Sequence, residues 1–166
     1  MKFAASEMVF TPPLTTPITF DDWMQFTASI DGCLAVRHIQ WLYSLVSVQG
    51  DRSICLYQTP YTDALRAAFR EARFPAQRVW KIPTAPSMPK SPSTNQIVVV
   101  ESHHSHNTQT DLENPLQSSF TSTIIPTNAN QSITLFSATD AAVVQAHYID
   151  TKTPFDRIWA AHIFSA

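Results

Sequence analysis

The chain has 166 residues, 44% of them hydrophobic and 11% aromatic, so it carries the apolar mass of a packed domain or of two small ones. Eleven Lys and Arg against thirteen Asp and Glu leave a net charge of −2, and no cluster of basic residues stands out to argue for nucleic acid or an anionic membrane. Two glycines exclude a GxGxxG nucleotide loop, which needs three, and twelve prolines point to stiff connections. The two cysteines, Cys33 and Cys55, sit in apolar surroundings and read as free buried thiols. No basic leader followed by an apolar run and no apolar stretch of membrane length is present, so a soluble cytoplasmic protein with no membrane insertion is expected.

In chain order, "EMVFT" (7–11) is a short strand candidate. Residues 18–38 predict a helix, with Thr19 as N-cap, Asp22 three positions on, and Trp23, Phe26, Ile30 and Leu34 at helical spacing. "IQWLYSLVSV" (39–48) and "RSICLYQ" (52–58) are strands of a hairpin around Gln49-Gly50-Asp51. Residues 61–72 predict a second helix with Ala64, Leu65, Ala68, Phe69 and Ala72 on one face; Pro75 ends that segment and "RVWKI" (78–82) is a last strand. The order is βαββαβ.

"PTAPSMPKSPSTN" (83–95) follows, a Pro/Ser-rich linker. Beyond it the order recurs in compressed form: "IVVVE" (97–101), a short or irregular first helix, a hairpin of "FTSTII" and "SITLF", a helix over 139–150 with Thr139 as N-cap, and "RIWAAHIF" (157–164). The recurrence is literal. Sliding the chain by 79 positions lays residues 51–80 on residues 130–159 without a gap, matching Ser53/Ser132, Ile54/Ile133, Leu56/Leu135, Ala67/Ala146, Pro75/Pro154, Arg78/Arg157 and Trp80/Trp159. A whole supersecondary unit is repeated. The expectation is an α+β chain of tandem ferredoxin-like repeats, residues 1–82 and 96–166. Each plait leaves one sheet face bare. Pressing the two sheets face to face, as an intrachain pseudo-dimer, buries several hundred Å², worth on the order of 10 kcal/mol before entropy costs at ~25 cal/mol per Å². Trp41, Tyr43, Tyr57, Trp80, Phe136 and Trp159 read as core for that purpose.

Trp41, Ser44, Val46, Cys55, Tyr57, Pro60, Phe74, Pro75, Arg78 and Val79 fall in a pattern of Trp-x-x-Ser-x-Val, Cys-x-Tyr-x-x-Pro and Phe-Pro-x-x-Arg-Val. Over residues 40–82 the chain thereby resembles small ferredoxin-like proteins of the DUF4242 type, described as nickel-binding. Leu45 stands where that family has tyrosine and Arg73 where it has glycine. The resemblance implies a ferredoxin-like fold, dimers that here would be fused in one chain, and a histidine on the second helix. Ala68 occupies that place in the first half and His147 in the second, so a metal role would survive in the second half only.

"ESHHSHN" (101–107) is the densest donor cluster, with Glu101, His103, His104 and His106. Neutral imidazoles suit Ni, Zn and Cu. On an extended segment His104 and His106 point one way and His103 the other, so two imidazoles with Glu101 or His147 make a candidate site for Ni²⁺ or another divalent transition metal. A polar loop after a strand is the plainer reading of the same residues, and no zinc-finger or HExxH spacing occurs. His38 follows the first helix and suits its C-terminal dipole, and His162 lies in the last strand. Glu71 and Asp150 hold matched helix positions that suit a solvent face. No catalytic triad or Cys-His pair is legible. The leading expectation is therefore a non-catalytic metal-binding protein. The alternatives are a structural adaptor subunit of a larger assembly and a small ferredoxin-like oxygenase or isomerase with a pocket at Tyr43, Tyr57 and Cys55.

Overall fold

A computed structural model of the chain describes residues 1–88, 96–103, 122–128 and 131–165. It divides into two compact units, Met1–Pro86 with His162–Ala166, and Ser87–Ala161.

Unit 1 holds β1 (Lys2–Val9), α1 (Phe20–Val36), β2 (Gln40–Ser47), β3 (Arg52–Thr59), α2 (Thr62–Glu71) and β4 (Arg78–Ile82). Its first strand starts five residues before the sequence expectation, because Ala4, Ala5 and Ser6 carry little strand propensity yet pair with Tyr57, Leu56 and Cys55. The N-terminus of α1 is the capping box expected from Thr19 and Asp22: the Asp22 N–H donates to Thr19 Oγ1 at 3.1 Å and the Thr19 N–H to Asp22 Oδ2 at 2.9 Å. The β2–β3 hairpin turns at Gly50, whose φ of 72° lies in the left-handed region. A Cβ there would stand 2.5 Å from the Leu14 carbonyl oxygen, so this turn needs glycine on two counts. Ala4, Met8, Val46, Cys55 and Tyr57 face the helices and pack with Trp23, Ile30, Leu65, Ala68 and Phe69. The alternate residues Ala5, Leu45, Ile54, Leu56 and Ile82 are buried as well, so this sheet has no solvated face.

Unit 2 holds β5 (Gln96–His103), β6 (Ser122–Asn128), β7 (Gln131–Ala138), α3 (Ala141–Asp150) and most of β8 (Arg157–Ser165). The expected first helix of this half and residues 89–95 of the expected linker lie outside the described residues. Helix α3 is capped by Asp140, whose carboxylate accepts from the Val143 N–H at 3.0 Å, one position later than the expected Thr139. Val98, Val100, Phe136, Val144 and Tyr148 form its helix-side core.

All the pairings described within the units are antiparallel: β4-β1-β3-β2 in unit 1 and β8-β5-β7-β6 in unit 2. The end of β8 belongs to unit 1, next to β2 in the strand order. Phe164 at that end stacks on Trp23, ring centroids 6.4 Å apart, inside the unit 1 core.

Several bonds and angles of unit 1 have counterparts in unit 2. Arg73 and Lys152, 79 positions apart, leave α2 and α3 with φ of 51° and 54°. The N–H groups of Phe74 and Thr153 both return to a carbonyl five residues back, 2.9 Å away in each case. The ring pairs Tyr57–Phe69 and Phe136–Tyr148 stand 5.9 Å and 6.1 Å apart, at 75° and 78°. Glu7 pairs in register with Ile54 and Arg78, and Glu101 with Ile133 and Arg157.

Candidate functional site

The donor cluster begins at the end of β5. The strand runs through His103 rather than stopping at Glu101, because its residues stay paired with β7 as far as Gln131. Alternation puts Val98 and Val100 on the α3 side and Glu101 and His103 on the other. Helix α3 carries His147, which is thus on the opposite side of the sheet from Glu101 and His103 and does not join them. His104 and His106 lie outside the described residues. Among the described residues, no three His, Cys, Asp or Glu side chains converge in a metal-holding group.

What the fold does bring to His103 is a carboxylate that sequence reasoning missed. His103 Nδ1 pairs with Asp156, and its Nε2 meets the Gln131 side-chain amide. Asp156 is placed by the turn before β8, where its own N–H donates to the Glu101 carbonyl at 2.8 Å. With Nδ1–H donated to a carboxylate, the ring is held in the tautomer whose Nε2 lone pair accepts from the Gln131 amide. Glu101 is otherwise engaged: Trp159 Nε1 donates to Oε1 at 2.8 Å, and Arg157 lies 3.6 Å from Oε2. Unit 1 carries a similar group, Glu7 with Arg78 at 3.2 Å and the Arg78 guanidinium 4.7 Å above the Trp80 ring. This recurrence marks Glu101 as a structural partner of its strand neighbours.

The Trp41, Ser44, Cys55 and Tyr57 motif closes on itself in the core. Trp41 Nε1 donates to Ser44 Oγ at 2.9 Å, and Ser44 Oγ donates to Cys55 Sγ at 3.0 Å. Burial pushes the Cys55 thiol up, against the opposing hydrogen bonds from Ser44, Tyr57 and others, and burial raises Tyr57 as well. A protonated thiol in that setting is inert. The expected oxygenase pocket does not form from these residues. A β-bulge sets Trp41 opposite Tyr57 and Tyr43 opposite Leu56, which turns Tyr43 to the other face of the sheet from Cys55 and Tyr57.

A second feature escaped the sequence reading. Arg66, Arg70 and Arg73, with Phe69, Phe74, Ala76, Gln77 and Val79, line an open groove of about 460 Å³ in unit 1. Arg66 and Arg70, four apart, share one face of α2, and Arg73 joins them from the turn beyond the helix.

Residues 12–82 match the family model described as "Nickel responsive protein SCO4226-like". That half of the chain is similar to a nickel-associated family of small proteins. No curated protein matches the chain. Among solved structures, an anthrone oxidase-like protein aligns with TM-score 0.51 at 9% identity, covering 99% of this chain and 93% of that one. A mutant chlorite dismutase from Candidatus Nitrospira defluvii aligns with TM-score 0.48 at 9% identity, covering 96% and 90%. At such identities the first likeness is one of fold alone, a mixed α/β chain built on an antiparallel sheet. No helix among the described residues is long and apolar enough to cross a membrane.

Proposed function

We propose that the chain is an internal duplication of one βαββαβ unit, an intrachain pseudo-dimer of residues 1–82 and 96–166, that binds a divalent transition metal, nickel first, at the His103 end of β5. The carrying observation is the His103–Asp156 pair. A carboxylate on the far nitrogen of an imidazole fixes its orientation and raises its basicity, the usual arrangement behind a metal-ligating histidine. His103 Nε2, exchanging its Gln131 amide partner for the metal, and the imidazoles of His104 and His106 are the donors in this reading, a set whose chemistry suits nickel, copper or zinc. Asp156 positions His103, Glu101 holds Trp159 and Arg157, and His147 takes no part. The nickel-responsive description of the family matched by residues 12–82 supports the choice of metal. The duplication is supported by the bonds and backbone angles that recur 79 positions apart. A metal role in only one half is consistent with it, since unit 1 has no counterpart of the His103, His104 and His106 cluster.

Calorimetric titration of the full chain with NiCl₂ tests the reading. Saturable heats are expected from the native sequence and none from a chain with His103, His104 and His106 all changed to Ala. Asp156→Asn is expected to weaken binding about tenfold or more. Equal heats from all three proteins would remove the proposal.

A further inference from the structure

We infer that the groove along α2 is a binding site for a small organic carboxylate with a flat apolar body. Arg66 and Arg70 stand one turn apart on α2, and Arg73 follows in the turn beyond it, so three guanidinium groups line one groove in a chain whose net charge is −2. Arg66 is anchored, its Nη1 donating to Asp63 Oδ1 at 2.6 Å and its Nη2 to the Val79 carbonyl at 2.8 Å. The guanidinium groups of Arg70 and Arg73 have no hydrogen-bond or ion-pair partner among the described residues. The nearby carboxylate of Glu71 is engaged with Arg37. A planar guanidinium pair matches the two oxygens of a carboxylate. The groove's other lining, Phe69, Phe74, Ala76 and Val79, supplies an apolar wall, with the two phenyl rings stacked 5.7 Å apart. Its size falls within the range of small-molecule sites, roughly 300–1,000 Å³.

Two observations separate this from an ordinary solvated helix face. The matching positions in unit 2 carry Gln145, Ile149 and Lys152, so the fold does not require the arginines. The carbonyls of the last turn of α2, whose partial negative charge opposes an anion, are already taken: Ala68, Phe69 and Arg70 accept from the N–H groups of Ala72, Phe74 and Arg73.

The test is a ¹⁵N-resolved NMR titration of the full chain with benzoate, alongside benzyl alcohol, acetate and inorganic phosphate. Saturable shifts at residues 66–79 are expected from benzoate, weaker ones from the other three. Changing Arg70→Gln and Arg73→Gln together should weaken benzoate about tenfold or more, while changing Lys2→Gln and Lys81→Gln together, an equal loss of charge outside the groove, leaves it unchanged. Because the groove lies on α2 and takes no metal, these results are independent of nickel binding at His103. The inference is overturned if benzoate gives no saturable shifts there, if the double variant binds it as the native chain does, or if benzyl alcohol or phosphate binds as tightly.

Discussion

Cys55 shows how much a residue's behaviour depends on its surroundings. It is buried, accepts a hydrogen bond from Ser44, and has a thiol raised by desolvation, whereas Cys33 is half-buried on α1. Thiol labelling of the native chain at pH 8, read by mass spectrometry, should modify Cys33 and spare Cys55, and unfolding should release both. Labelling of Cys55 at the rate of Cys33 would contradict its place in the core. The pH dependence follows in sign. A group whose folded value is raised contributes stability that is complete below its ordinary value, about 8.5 for a thiol, and that is lost as pH rises through the folded value. Cys55 and Tyr57 both act this way, so the urea midpoint should fall on the alkaline side, from about pH 9 upward. The sequence marked both cysteines as free buried thiols but had no means of ranking them. The ranking comes from the strand register that sets Ser44 opposite Cys55.

At the scale of elements, backbone conformation decides which substitutions are tolerated. Gly50→Ala places a methyl group against the Leu14 carbonyl and strains a positive φ, and it should cost about 2 kcal/mol or more in urea unfolding. Lys152→Gly relieves a left-handed lysine at the end of α3 and should stabilise the chain by roughly 1 kcal/mol. Most elements were legible in the sequence because their signals are local: the Thr19–Asp22 capping box, the helical spacing of Trp23, Ile30 and Leu34, and the Gly50 turn. The misses are of another kind. The start of β1 is held by pairing with β3 rather than by propensity, and Asp156 reaches His103 across 53 positions of chain. The arginine groove needs α2 and the turn after it folded before its members meet. The first two depend on strand neighbours distant in sequence, and the groove on the path the chain takes after α2.

For the whole molecule, β8 is divided between the units, its end from His162 onward counted with unit 1. Phe164, only 9% exposed, carries that strand's contribution to the unit 1 core against Phe20 and Trp23. Phe164→Ala should therefore destabilise unit 1 by about 3 kcal/mol in urea unfolding, although the residue is third from the C-terminus. A loss within about 0.5 kcal/mol, as for a surface change, would show that the strand end is not part of the core. The functional reading rests on the donors at the end of β5. X-ray absorption at the nickel edge of the loaded full chain tests it most directly. The account predicts imidazole scattering that disappears when His103, His104 and His106 are changed to Ala; a spectrum of water-type oxygen ligands alone, unchanged by those substitutions, would contradict it.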